Sequence, residues 1–128
     1  IVSTNMDSAR AASLSSVTEG LPVFSQKDVI LNAVRDNQII IVSGATGSGK
    51  STQVPKYIVQ QILLDGTPDL QPFVVCTEPR RISAVSIATR VSAEMGEPGV
   101  GVNDSVVGYS VRLDTRRSAN TRLLFCTT

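Results

Sequence analysis

The chain has 128 residues, 41% of them hydrophobic and 18% charged, with a formal net charge of +1. That composition fits one ordinary globular domain with a core, and not a disordered segment or two large domains. Near-neutral charge argues against a strongly basic coat for nucleic acid, apolar runs of at most four residues exclude a membrane-spanning segment, and the absence of histidine excludes histidine-based catalysis.

In chain order, residues 1–20 are rich in Ser, Thr and Ala and read as a linker or loose lead-in, with a turn of helix available at Asp7–Leu14. Leu21-Pro22 marks an entry into the domain. Ser25 followed three residues later by Asp28 has the spacing of a capping box. With Val29, Ile30, Ala33 and Val34 as its apolar face, this predicts a helix over 25–36. Gln38–Ser43 is a short β-branched apolar run and reads as a buried parallel strand. Gly44-Ala45-Thr46-Gly47-Ser48-Gly49-Lys50-Ser51 then fits the pattern G-x-x-x-x-G-K-[ST] at every fixed position, and 52–64 has helical length and spacing. Pro55 inside that helix is expected to tilt its first turns relative to Tyr57–Leu64.

Residues 65–69 form a break, and 72–77 a second buried strand. A helix is predicted over 80–95, with Ala84, Ile87, Ala88, Val91 and Met95 on one face and Gly96 as its stop. Residues 97–104 read as a loop, 106–111 and 122–126 as strands, and 114–120 as a polar connection. Cys76 and Cys126 each end an apolar run and are expected to be reduced core thiols without a disulfide partner, in an intracellular protein. The chain opens on Ile1 and stops at Thr127-Thr128 straight after a strand-like run, so it reads as a piece of a longer protein.

The glycine-rich octet has a definite chemistry. Gly44, Gly47 and Gly49 allow backbone conformations that a Cβ would block, so successive N–H groups can surround a phosphate. The helix that begins near Gly49 directs its unpaired N–H groups and positive dipole end at the same anion. Lys50 adds a cation for the β- and γ-phosphates, the Ser51 hydroxyl suits a Mg²⁺ ligand, and Thr52 is a further phosphate contact. The other use of such a segment, a flexible turn joining strand to helix, does not require all four fixed positions.

Alternating strands and helices predict an α/β fold with a mostly parallel sheet, in which segments 43–51, 77–81 and 127–128 follow strands and should share one rim. Arg80 and Arg81, just past a strand at a helix start, suit bidentate phosphate contacts along a nucleic-acid backbone. Solvation, or pairing with Glu78, is the alternative.

Over residues 21–128 the chain resembles the first RecA-like domain of DEAH-box/RHA-type ATP-dependent RNA helicases of superfamily 2. Gly44–Thr52 with Gln53-Val54-Pro55 is similar to motif I and its sequel, and Cys76–Arg90 to motif Ia. Val107–Leu113 looks like the strand that follows, and Leu123–Thr128 like the approach to motif Ib. The resemblance implies a P-loop NTPase fold of three layers, cut before the Asp-Glu-x-His motif. It implies ATP or other nucleoside triphosphates with Mg²⁺, hydrolysed in the intact protein to drive movement along single-stranded RNA. Gly44, Ala45, Thr46, Gly47, Ser48, Gly49, Lys50, Ser51 and Thr52 would hold the phosphates, with Lys50 and Ser51 catalytic and Ser51 on the metal. Arg90 would stack on the base, the other base face being covered by a second RecA-like domain of the same chain; an i, i+4 pair with Glu94 is its alternative use. Arg80, Arg81 and Thr127 would grip RNA. Ala45 stands where the family has an acidic residue, Glu78 where it has glutamine, and Ser51 where threonine is common. Of the family's branches the RHA-like one is closest, the cytoplasm is favoured over the nucleus, and the piece alone is expected to turn over little ATP.

Overall fold

A computed structural model of the chain describes residues 17–66 and 71–128. The possible turn at Asp7–Leu14 and the Thr67-Pro68-Asp69 part of the break lie outside them. The end of the lead-in is ordered against the domain, since residues 17–19 are helical and Thr18 is buried.

Pro22–Gln26 forms a 3₁₀ turn with proline at its start, and α1 follows at Lys27–Asp36. The capping box expected at Ser25 does not form. The Ser25 hydroxyl donates to the Pro22 carbonyl, and α1 begins two residues later without a side-chain cap. The long helix α2, Lys50–Asp65, runs through Pro55 without a break and ends on Gly66 in the left-handed conformation. Strand β1 is Val74–Glu78, helix α3 Arg81–Glu94, and strands β2, β3 and β4 are Val107–Val111, Asp114–Arg116 and Leu123–Thr127.

These strands make one sheet in the order β1-β4-β2-β3. β4 lies parallel to both β1 and β2, with Cys76 opposite Phe125 and Tyr109 opposite Phe125 on the other side. Val74, Cys76, Val107, Tyr109, Val111, Leu123 and Phe125 therefore line one face, and α3 packs on it through Ala84, Ala88 and Val91. The small side chains at 84 and 88 let the helix sit close to the sheet. Leu123 and Phe125 have no exposed surface, and full burial of such side chains contributes about 1.5–3 kcal/mol each. The face predicted for the 80–95 helix is the one observed, with Ile87 and Met95 at its margin, and Gly96 follows with φ of 73°.

Two expectations are corrected. Residues 38–43 are extended but belong to no strand of the sheet. Ile40 and Val42 pack against Val23, Ile30 and Tyr57, whereas Ile39 and Ile41 are 83% and 92% exposed. β-Branched side chains set an extended backbone and its alternation, but a ladder needs a neighbouring strand, and among the described residues none runs beside this segment. The polar connection over 114–120 contains β3, which pairs antiparallel with β2 through a turn where Leu113 takes φ of 66°. Tyr109 Oη donates to Asp114 Oδ2 at 2.8 Å across this hairpin. Its pairing comes from the turn, and no apolar alternation announces it.

Register also separates the cysteines. Cys76 faces Phe125 and Thr77 faces Cys126, so the two thiols point to opposite sides of the sheet. Burial, then the nearby Glu78 and Cys126, push the Cys76 thiol up to about 11.

Candidate functional site

The Gly44–Ser51 loop leads straight into α2. Its helix cap is Gly49, with φ of 95°, and Gly47 takes φ of 82°. The dihedral calls for glycine at 49, and a Cβ there would also crowd the Leu21 and Val23 side chains, at 2.8 Å from Leu21 Cδ1 and 3.1 Å from Val23 Cγ1. Gly44 differs from the expectation. It keeps an ordinary φ, and what it provides is room, since a Cβ there would meet Ser48 Oγ at 3.2 Å and the Lys50 side chain just beyond. The loop is anchored where the Val23 N–H donates to the Ser48 carbonyl at 3.2 Å and the Ser48 N–H to Ala45 at 3.1 Å. Ser48 is buried, while Thr46, Gly47 and Ser51 are exposed.

The first intrahelical bond of α2 runs from the Gln53 N–H to the Gly49 carbonyl at 2.9 Å, which leaves the N–H groups of Lys50, Ser51 and Thr52 as the open donors of the helix start. No acidic residue lies in that first turn, so the positive end of the dipole is uncompensated within the helix. Lys50 folds back over the loop, its Nζ donating to the carbonyls of Gly44 and Ala45, the latter at 3.0 Å, and to Ser48 Oγ at 3.3 Å. The ammonium thus hangs over the concave side of the turn on three neutral acceptors. An anion seated there would meet the lysine and the helix donors together. Thr46–Thr52 line a cavity of about 310 Å³ at this point. Ser51 presents one exposed hydroxyl, and no cluster of three acidic, cysteine or histidine side chains able to hold a metal exists among the described residues. A Mg²⁺ here would take one protein oxygen, with phosphate oxygens and waters completing its shell, a donor set that suits a nucleotide-borne ion.

Beyond the loop, α2 and α3 are joined by a buried polar cluster. The Glu94 side chain is only 2% exposed. Its Oε2 accepts from Gln53 Nε2 at 2.9 Å and from Lys56 Nζ at 3.0 Å, and its Oε1 from Arg90 Nε at 2.7 Å. Gln53, with no exposed surface, also donates to Thr52 Oγ1 at 3.0 Å. Burial drives the Glu94 carboxyl pKa upward, but its donors Arg90, Gln53 and Lys56 outweigh this, leaving it below the usual value. The i, i+4 pairing of Arg90 is therefore formed, by the Nε edge, while 45% of the arginine side chain stays exposed.

Sequence reading had noted Glu94 only as a partner for Arg90 and had missed Gln53 and Lys56. A signal was present. Glu94 continues the stripe of Ala84, Ala88 and Val91 at helical spacing, and a carboxylate on a buried stripe requires donors from a neighbouring element.

Arg80 and Arg81 are exposed at the start of α3, and Thr127, half-buried, lies opposite Glu78 at the carboxyl ends of β4 and β1. No ion pair among the described residues joins either arginine to Glu78. Residues 77–81 and 127–128 thus share a rim, as expected. The Gly44–Ser51 loop does not complete it through the sheet. Its helix is tied to Glu94 at the other end of α3, about 20 Å along the axis from Arg81. The reason is the one that left 38–43 unpaired: the loop is placed by helix packing and not by a strand of this sheet.

No protein-family model matches the chain. Curated relatives do. The chain is 50% identical over 109 residues to the ATP-dependent RNA helicase DHX29 of Mus musculus, a match covering 84% of this chain and 8% of that protein. It is 45% identical over 123 residues to the Xenopus laevis ATP-dependent RNA helicase dhx29, covering 95% and 9% respectively. The Arabidopsis thaliana DExH-box ATP-dependent RNA helicase DExH1 is 47% identical over 115 residues, covering 90% and 11%. The chain spans about a tenth of the length of these relatives.

Proposed function

We infer that this chain, homologous over most of its length to DEAH/DExH-box ATP-dependent RNA helicases, is the nucleoside-triphosphate-binding part of the first RecA-like domain of such an enzyme. The observation that carries the reading is the loop Gly44–Ser51. It is exposed at the start of a 16-residue helix, with open N–H groups and Lys50 poised over its concave side. Residues 21–128 would then be the leading portion of a three-layer P-loop domain, with residues 1–20 as its lead-in.

The division of labour follows from the side chains. Backbone donors from Gly44 to Gly49 and those of Lys50, Ser51 and Thr52 hold the β- and γ-phosphates, at the helix end where negative charge is favoured. Lys50 exchanges its neutral carbonyl acceptors for phosphate oxygens, a stronger, charge-assisted interaction. Ser51 would hold Mg²⁺, whose chemistry when bound is to neutralise phosphate charge and fix phosphate geometry. Arg90 lies flat against the base. A stacked planar cation makes few base-specific hydrogen bonds, so ATP and other nucleoside triphosphates are accepted. Arg80, Arg81 and Thr127 take single-stranded RNA by its backbone at the other end of α3.

Positioning of the attacking water needs groups these 128 residues lack; with no histidine they hold no Asp-Glu-x-His motif. That motif and arginine fingers from a second RecA-like domain belong to the intact protein. The test is RNA-stimulated ATP hydrolysis by the full-length protein. Lys50→Ala should abolish it with an unchanged circular dichroism spectrum, and residues 1–128 alone should show no substantial turnover. Full activity in Lys50→Ala rejects the assigned site.

A further inference from the structure

Glu94 is a carboxylate almost out of water, yet it serves three donors from two helices. Neutralising its charge needs one cation, and Lys56, itself only 9% exposed, already supplies it. The second cation, Arg90, is held in a different way. Its Nε edge is clamped at 2.7 Å while nearly half the side chain faces solvent. A guanidinium fixed by one edge keeps its plane in a set direction and leaves its faces open. The clamp is also indexed to the phosphate loop. Gln53, which donates to Glu94, donates as well to Thr52 Oγ1, and Thr52 lies within hydrogen-bonding reach of the Gly49 carbonyl at 3.4 Å. A continuous path of hydrogen bonds thus runs from the helix cap of the loop to the arginine.

We propose that Glu94 is a positioning residue, which holds the Arg90 guanidinium at a fixed setting relative to the phosphate loop so that it meets the base of a bound nucleotide. This rests on the reading of Arg90 as the base-facing side chain. Glutamine at 94 would turn an amide N–H₂ toward Lys56 and Gln53, or else toward Arg90. The first orientation strands Lys56 and Gln53 and the second strands Arg90, and in both the guanidinium faces a neutral amide in place of a carboxylate, so its hold weakens.

The experiment compares two ligands on the full-length protein, ATP and inorganic tripolyphosphate, which has the phosphates without a base. Glu94→Gln should weaken ATP about tenfold, the size of one charge-assisted hydrogen bond, and leave tripolyphosphate within about twofold. Arg90→Ala should behave alike, and the double variant should be no worse than either single one. If Glu94→Gln binds ATP normally while Arg90→Ala is weak, the arginine keeps its role and the proposal falls. Equal loss of both ligands in Glu94→Gln, or additive losses in the double variant, also overturns it, because Glu94 then acts on the fold or the phosphate site. Normal ATP binding by Arg90→Ala removes the base-facing reading and the proposal with it. Should Glu94→Gln fail to fold, Glu94→Asp, which keeps the charge and withdraws it by one methylene, must show the same pattern.

Discussion

Lys56 Nζ lies 3.0 Å from Glu94 Oε2, and with 9% and 2% of their side chains exposed the two charges face each other almost without water. This pair fastens the helix that starts at the Gly44–Ser51 loop to the helix that starts at Arg81. Such a pair adds little beyond what well-packed apolar groups would contribute, but breaking it from one side is costly.

Lys56→Met should therefore destabilise the protein by about 3 kcal/mol, at the low end of the usual range because Arg90 still faces the carboxylate. Urea unfolding midpoints measure this. Combining Lys56→Met with Glu94→Leu should cost less than Lys56→Met alone, since no buried carboxylate then remains.

Acid should reveal two carboxylates working against each other. Glu94 has a lowered folded pKa, so its contribution is present above the ordinary carboxylate value of about 4.3 and is lost as pH falls through the folded value. Glu97 is the reverse. Burial raises its pKa against the bonds it accepts from the Val106 and Val107 N–H groups and Ser92, so its contribution is complete at low pH and is lost as pH rises through the folded value. Glu97→Gln should remove the stability gained on acidification above the ordinary carboxylate value and leave the loss through Glu94 below it. An unchanged profile on denaturant titration would contradict this assignment.

The two positive-φ glycines of the loop should respond differently to alanine. At Gly47 an added Cβ meets nothing within 4 Å, so only the left-handed strain of about 1 kcal/mol applies. At Gly49 the same strain joins a 2.8 Å approach to Leu21 Cδ1. Gly49→Ala should unfold at lower denaturant than Gly47→Ala, and bind ATP more weakly, because the Leu21 and Val23 side chains must give way.

Arg80→Ala and Arg81→Ala should each weaken single-stranded RNA regardless of sequence and lower the salt slope of binding by about one unit. Filter binding over a salt series reads both. ATP affinity without RNA should stay unchanged, since these side chains stand at the far end of α3 from the loop.

Much of the candidate site's local structure is legible in the chain itself. The octet Gly44–Ser51, the following helix and the stripe of Ala84, Ala88 and Val91 are local patterns whose physics acts over a few residues. Turn conformation, helix periodicity and dipole direction need no distant partner, and the folded chain has them as the residues predict. What sequence reading overstated was Gln38–Ser43. Its residues are strand formers, but a strand is defined by its neighbours.

Only the tertiary structure decided that Gln53, Lys56 and Glu94 meet, that β3 folds back on β2, and that the Gly44–Ser51 loop adjoins the end of α3 away from Arg80 and Arg81. Each of these depends on which surfaces come together across forty residues or around a turn, and no spacing along the chain encodes that. Short-range chemistry was written in the order of the residues. The linkage between the two ends of α3 was settled by packing, where a buried charge had to find its donors.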